Sequence, residues 1–128
     1  MKQTLIEGIS AEVRQRVVSQ HLVSYQDARL VPVLASPWML SFMEHAAYNA
    51  IQPHLDAGEQ SVGVGFQFEH LAATPAGSTV TATARITAID GRKITLAIEA
   101  RDDRQLIGKG THVRAVIDME RFKKKLNR

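Results

Sequence analysis

Three side chains carry the types needed for proton-transfer chemistry: Ser36, Glu44 and His70. A carboxylate held on the apolar side of a helix becomes a better proton acceptor near neutral pH, and an imidazole titrates in the same range. A hydroxyl nearby can hydrogen-bond either of them or a substrate oxygen. Together they suit general acid–base work or nucleophilic attack. Each also has a purely structural reading. Glu44 can snorkel to solvent from the margin of an apolar stripe, His70 can be a satisfied strand-end residue, and Ser36 can be a helix cap worth about 1 kcal/mol.

The elements that position these residues follow from periodicity. From Pro37 to Ile51 the run PWMLSFMEHAAYNAI has no glycine and no interior proline, and its apolar residues recur at helical spacing. Glu44 shares a stripe with Leu40, Ala47 and Ile51, beside a polar stripe of Ser41, His45, Tyr48 and Gln52, so its carboxylate is expected on the core side. Ser36 before Pro37 is the expected N-cap and N1 pair, at a helix end whose free N–H groups suit a bound oxygen. In SVGVGFQFEH, Val62, Val64, Phe66 and Phe68 alternate with Gly63, Gly65, Gln67 and Glu69, as in a half-buried strand. His70 continues the apolar set.

The remaining chain supplies a sheet. Val13 to Val23 reads as a first, imperfect strand; Gly58 ends the connection after the helix; Thr74, Pro75 and Gly77 mark a turn. TVTATARITAI alternates toward the turn signal Asp90–Gly91, and KITLAIEAR returns from it. A last strand, LIGKGTHVRAVID, places Ile107, Thr111, Val113, Ala115 and Ile117 on one side. Its Gly108 and Gly110 permit close packing or let a ligand approach the backbone. One long helix with a strand before it and four after predicts an α+β fold in which an antiparallel sheet wraps the helix.

A chain of 128 residues with 45% hydrophobic content suits one domain spanning 1–128. With no cysteine there is no disulfide framework, thiolate nucleophile or Cys-based metal site. The opening MKQTLIEGIS lacks the apolar run of a signal peptide, and no segment has the length of a membrane span; a cytoplasmic protein is expected. The net charge of +3 owes much to Arg121, Lys123, Lys124, Lys125 and Arg128, which suit the end of a short helix. Aromatic residues make up 5% of the chain and none interleaves with this run, which argues against nucleic-acid binding.

The runs VLASPWMLSFMEHAA, SVGVGFQFEHLAATPAG, IDGRK and IGKGTHVRAVI resemble the hot-dog-fold thioesterases of the fluoroacetyl-CoA thioesterase-like group, in the same order and spacing from about Val17 onward. The resemblance implies a hot-dog fold and hydrolysis of an acyl-CoA thioester, with CoA as part of the substrate and neither metal nor separate cofactor. It matches the family's active-centre residues to Ser36, Glu44 and His70. Gly63 matches a strand glycine, here a candidate oxyanion N–H donor, and Arg114 a last-strand arginine, either a phosphate contact or an ion-pair partner. It also implies a homodimer with continuous sheets and active sites at the interface. Two departures matter: Ser36 stands where the fluoroacetyl-specific enzyme has threonine, and SYQDARLVPV is shorter than that enzyme's lid region, so fluoroacetyl specificity is not implied. Against a solvated basic tail stands the alternative that its cations, or Arg92 and Lys93, meet CoA phosphates. Other activities compatible with the fold are acyl-thioester hydration or dehydration and non-catalytic acyl-CoA binding or sensing; release of free CoA thiol separates them from hydrolysis.

Overall fold

The structure, a computed structural model, describes residues 1–127. Strand β1 (Ser10–Arg16) precedes the long helix α1 (Ser36–Ile51); β2 (Glu59–His70), β3 (Thr79–Asp90), β4 (Lys93–Arg101) and β5 (Leu106–Asp118) follow, and the short helix α2 (Met119–Leu126) comes after them. All five strands pair antiparallel in the order β1-β3-β4-β5-β2. Although β2 comes directly after the helix, it forms an edge of the sheet, bonded to β5 alone.

The α+β expectation holds, because alternation in the strands and the helical period of α1 bury two complementary faces. Val80, Ala82, Ala84 and Ile86 on β3 and Ile94, Leu96, Ile98 and Ala100 on β4 are buried against Met39, Met43, Ala46 and Ala50 of α1. The β3–β4 hairpin closes on the pair Asp90–Lys93, leaving Gly91 and Arg92 as its two-residue loop. Gly91 takes φ +59° there, a region that glycine enters without Cβ strain.

Three details differ from the sequence reading. The first strand stops at Arg16 rather than running to Val23, because the chain tightens into 3-10 turns at Ser19–His21 and Val23–Tyr25. There the Val18 N–H donates to His21 Nδ1 and the His21 N–H to the Val18 carbonyl. In β2, a bulge at Val64 shifts the register between Gly63 and Gly65. One extra residue reverses parity: Phe66, Phe68 and His70 face the helix side as expected, but before the bulge Ser61 and Gly63 face inward instead of Val62 and Val64. In β5 the inner face carries Gly108, Gly110, His112, Arg114 and Val116, so Thr111, Val113, Ala115 and Ile117 lie on the outer side.

Gly108 and Gly110 serve close packing. A Cβ on Gly108 would meet Met39 Sδ, and one on Gly110 would overlap the Gln67 carbonyl and the Phe68 backbone. Because backbone cannot yield as a flexible side chain does, Gly110→Ala is expected to destabilise the fold by about 1–3 kcal/mol in urea unfolding; an unchanged midpoint would contradict this packing.

Candidate active site

Helix α1 begins one residue earlier than the sequence suggests. Ala35 occupies the N-cap position without a side-chain cap bond, and Ser36 is already helical. The Ser36 hydroxyl is therefore free for another partner and lies 2.7 Å from His70 Nδ1. His70 Nε2 lies 3.1 Å from the Ala72 carbonyl oxygen, an acceptor only, so the ring proton belongs on Nε2 and Nδ1 accepts from the serine. Hydroxyl, imidazole and orienting carbonyl form one cluster where the N-terminus of α1 meets the C-terminal end of β2.

Glu44 forms a second cluster. The helix stripe that fills the core is centred on Met39, Met43, Ala46 and Ala50, not on Leu40, Glu44, Ala47 and Ile51, so Glu44 stands at its margin with a side chain 42% exposed. It does not snorkel away from the protein: Oε2 accepts from Arg114 Nη1 at 3.0 Å. Arg114, 5% exposed, also donates from Nε to Ser61 Oγ and from Nη2 to the Ser61 carbonyl, each at 2.9 Å. Its Nη1 further lies 3.1 Å from His112 Nε2. Of the two roles considered for Arg114, phosphate contact and ion pair, this geometry provides the ion pair, because the guanidinium is buried and its donors are directed at protein acceptors. Burial lowers the Arg114 pKa from its usual value and the Glu44 charge opposes the shift, an offset that keeps the cation in place.

Gly63 closes this cluster. A Cβ there would collide with Glu44 Oε2 and would lie 3.2 Å from His112 Cε1 and 3.5 Å from Arg114 Nη1. The missing side chain makes room for the carboxylate itself. His112 was not among the residues singled out from sequence, yet it shares parity with Arg114 on β5, and two polar residues alternating onto one sheet face are a readable sign of a polar network.

The two clusters are apart within one protomer. Glu44 Oε2 is against Gly63, while His70 lies seven residues further along β2; allowing for the bulge, that is roughly 20 Å of strand. The helix agrees in direction, since eight residues from Ser36 to Glu44 rise about 12 Å. The structure thus brings Ser36 to His70, and Glu44 to Gly63 and Arg114, but not Glu44 to His70 of the same chain. The basic segment forms α2, capped by Asp118 accepting from the Arg121 N–H, with Arg121, Phe122 and Lys125 beside Arg92 along a shallow cleft; Arg128 lies outside the described residues. A wider depression, about 970 Å³, lies on the outer sheet face among Gln67, Glu69, Thr83, Arg85, Glu99 and Lys109, away from both clusters. No helix among the described residues is long and apolar enough to cross a membrane.

A long helix wrapped by a five-stranded antiparallel sheet, with these side chains on the helix side of the edge strand, is the hot-dog architecture used by thioesterases. Over residues 17–120 the sequence matches the family described as fluoroacetyl-CoA-specific thioesterase, and the chain belongs to that family. The fluoroacetyl-CoA thioesterase of Streptantibioticus cattleyicolor is 41% identical over 99 residues, covering 77% of this chain and 71% of that protein. A solved structure of the fluoroacetyl-CoA thioesterase superposes with a TM-score of 0.91 at 34% identity, over 98% of this chain and 97% of the other. A thioesterase-superfamily protein of Thermus thermophilus gives a TM-score of 0.91 at 26% identity, over 98% and 93%.

The buried imidazoles carry a pH signature. Desolvation lowers the pKa of both His112 and His21 from 6.5, so below about 6.5 the unfolded chain takes up protons that the native state does not. Stability is therefore fully present above that value and is lost as pH falls. Urea unfolding from pH 8 to 5 is expected to show the midpoint declining below about pH 6.5, less steeply in His112→Gln; a midpoint flat to pH 5 in the wild type would contradict buried neutral imidazoles.

Proposed function

We propose that this chain is an acyl-CoA thioesterase, hydrolysing a thioester to free acid and CoA, and that it works as a homodimer whose active sites each draw on two protomers. The observation that carries the reading is the pairing of a carboxylate fixed beside Gly63 with an imidazole a strand-length away on the same free edge. That edge, the 12 residues of β2, has unpaired backbone groups and exposes Val64 and Phe66, features that call for a partner strand. Antiparallel pairing of β2 with its copy about a two-fold axis at Gln67 sets residue 66 against 68 and residue 65 against 69. With the bulged Val64 passed over, Gly63 then falls opposite the partner's His70, both on the inner face. The separation within one chain thereby becomes proximity across the interface.

At such a site Glu44 is the base that draws a proton from water, or the nucleophile that attacks the thioester carbonyl to give an acyl-enzyme anhydride. Arg114 and Gly63 position its carboxylate. The Gly63 N–H is the proposed donor to the developing oxyanion, a contribution typically worth about 10² to 10³ in rate. His70, aligned by Ser36 and Ala72, handles the proton that must reach the departing CoA thiolate. The 2.7 Å bond between Ser36 and His70 supports a second assignment within the same reaction, Ser36 as nucleophile with His70 as its base. The acyl group is left general, since Ser36 replaces the threonine and the segment before α1 is short.

Thiol release measured over acyl-CoA substrates from acetyl to long-chain and aryl tests the reaction. Glu44→Gln should lose at least ~10²-fold in kcat while staying folded; near-normal turnover would remove Glu44 from the mechanism. Ser36→Ala should lose less, and a larger loss than Glu44→Gln would favour the serine nucleophile. Mixing Glu44→Gln with His70→Ala under subunit exchange tests the shared site. One intact site per heterodimer predicts recovery to about one quarter of wild-type activity, whereas no recovery would assign both residues to one protomer.

A further inference from the structure

We propose that His112 is a positioning residue of this site, acting as a neutral acceptor that locks the Arg114–Glu44 ion pair to the bulge of β2. The inference rests on the reading of Glu44 as the reacting carboxylate. It is carried by four contacts of one fully buried ring. His112 Nδ1 lies 2.8 Å from the Gly65 carbonyl oxygen, and Nε2 lies 3.1 Å from Arg114 Nη1. One ring face stacks on Phe66 with centroids 3.9 Å apart and planes 10° from parallel. Glu44 Oε2 lies 3.9 Å from Nε2.

These contacts admit one protonation state. A carbonyl oxygen requires a donor, so Nδ1 carries the proton; a guanidinium offers only donors, so Nε2 presents its lone pair. Arg114 Nη1 has two hydrogens, and its two partners are Glu44 Oε2 at 3.0 Å and His112 Nε2 at 3.1 Å. The imidazole thus occupies the second hydrogen of the atom that holds the carboxylate, without adding a competing negative charge. At the other end of the ring it fixes Gly65, two residues from Gly63, on the stretch of β2 that passes beside Glu44 Oε2. Bulge, cation and carboxylate are joined through one side chain.

The surroundings keep the ring neutral. The ionisable groups about this cluster are Arg114 on its own strand and Glu44 and Tyr48 on α1; β2 presents the Gly65 carbonyl and the Phe66 ring, neither charged. Burial, first, and the Arg114 charge lower the His112 pKa, against smaller opposing effects overall from the Gly65 carbonyl and Glu44. Protonation would replace the acceptor at Nε2 by a donor facing Arg114.

The test compares His112→Phe, which keeps a stacked ring but no hydrogen bonds, with His112→Gln, whose amide oxygen reaches the position of Nε2, and His112→Asn, which reaches only that of Nδ1. On the thiol-release assay kcat is expected to fall about 10-fold or more in the Phe variant, with KM within about 2-fold. Gln should restore most of kcat and Asn should not. Wild-type kcat in a folded Phe variant overturns the inference, as does a loss that Gln fails to rescue. Should the Phe variant not fold, Gln equal to or below Asn overturns it. A long-range 1H–15N spectrum of the wild type supplies a readout independent of turnover: a proton on Nδ1 and none on Nε2, unchanged from pH 8 to 6, is expected. The opposite tautomer, or a charged ring, overturns the inference while leaving the thioesterase reading intact. No thiol release from the wild type on any substrate overturns both.

Discussion

A guanidinium placed on the inner face of a sheet must be given partners, and Arg114 is where this structure meets that requirement. An unpaired buried charge costs several kcal/mol. The surroundings are arranged to prevent it: Ser61 supplies a hydroxyl and a carbonyl, His112 a ring nitrogen, and Glu44 the counter-charge. The demand propagates outward. Glu44 has to sit on the shoulder of α1 rather than in its apolar centre, the strand beneath it has to lack a side chain at Gly63, and the bulge at Val64 then restores Phe66, Phe68 and His70 to the inner face. What holds the charge also holds the carboxylate, at a point still 42% open to an approaching reactant.

The opposite end of β2 is built on different chemistry. Ser36 gives up a capping role to meet His70, and the Ala72 carbonyl fixes the imidazole tautomer. No salt bridge is formed here, and the serine hydroxyl donates to an imidazole whose proton is held on the other nitrogen. With some 20 Å of strand between the ends, β2 acts as a ruler. In the proposed dimer its free edge is where a second copy would pair.

Much of this was legible in the sequence wherever a single period dominates. The helix from Pro37 to Ile51 and the hairpin through Asp90 and Gly91 stand within a residue of where alternation and turn chemistry put them. Legibility fails where buried polar contacts or an extra residue break the pattern. In β5 the apolar alternate residues Val113, Ala115 and Ile117 face outward because His112 and Arg114 are needed inside, so hydrophobic parity pointed to the wrong face. In β2 one extra residue inverted the assignment of Val62 and Val64, and no local signal distinguishes a bulge from a regular strand. Ser36 looked like a cap because Ser-Pro usually is one; its actual partner lies 34 residues away, beyond any local pattern. Ser36, Glu44 and His70 stand out by residue type and position, Gly63 and Arg114 through family resemblance, and His112 only through the geometry.

In the proposed dimer the carboxylate of one protomer and the imidazole of another serve a single thioester. A crystal structure of the protein with a non-hydrolysable acyl-CoA thioether tests it most directly. A shared site requires a continuous sheet through paired β2 strands, with the carbon bonded to the CoA sulfur on the acyl side, in place of the thioester carbonyl carbon, lying between Glu44 and the partner's His70. A ligand lodged elsewhere, or an assembly in which every Glu44 is remote from every His70, would contradict it.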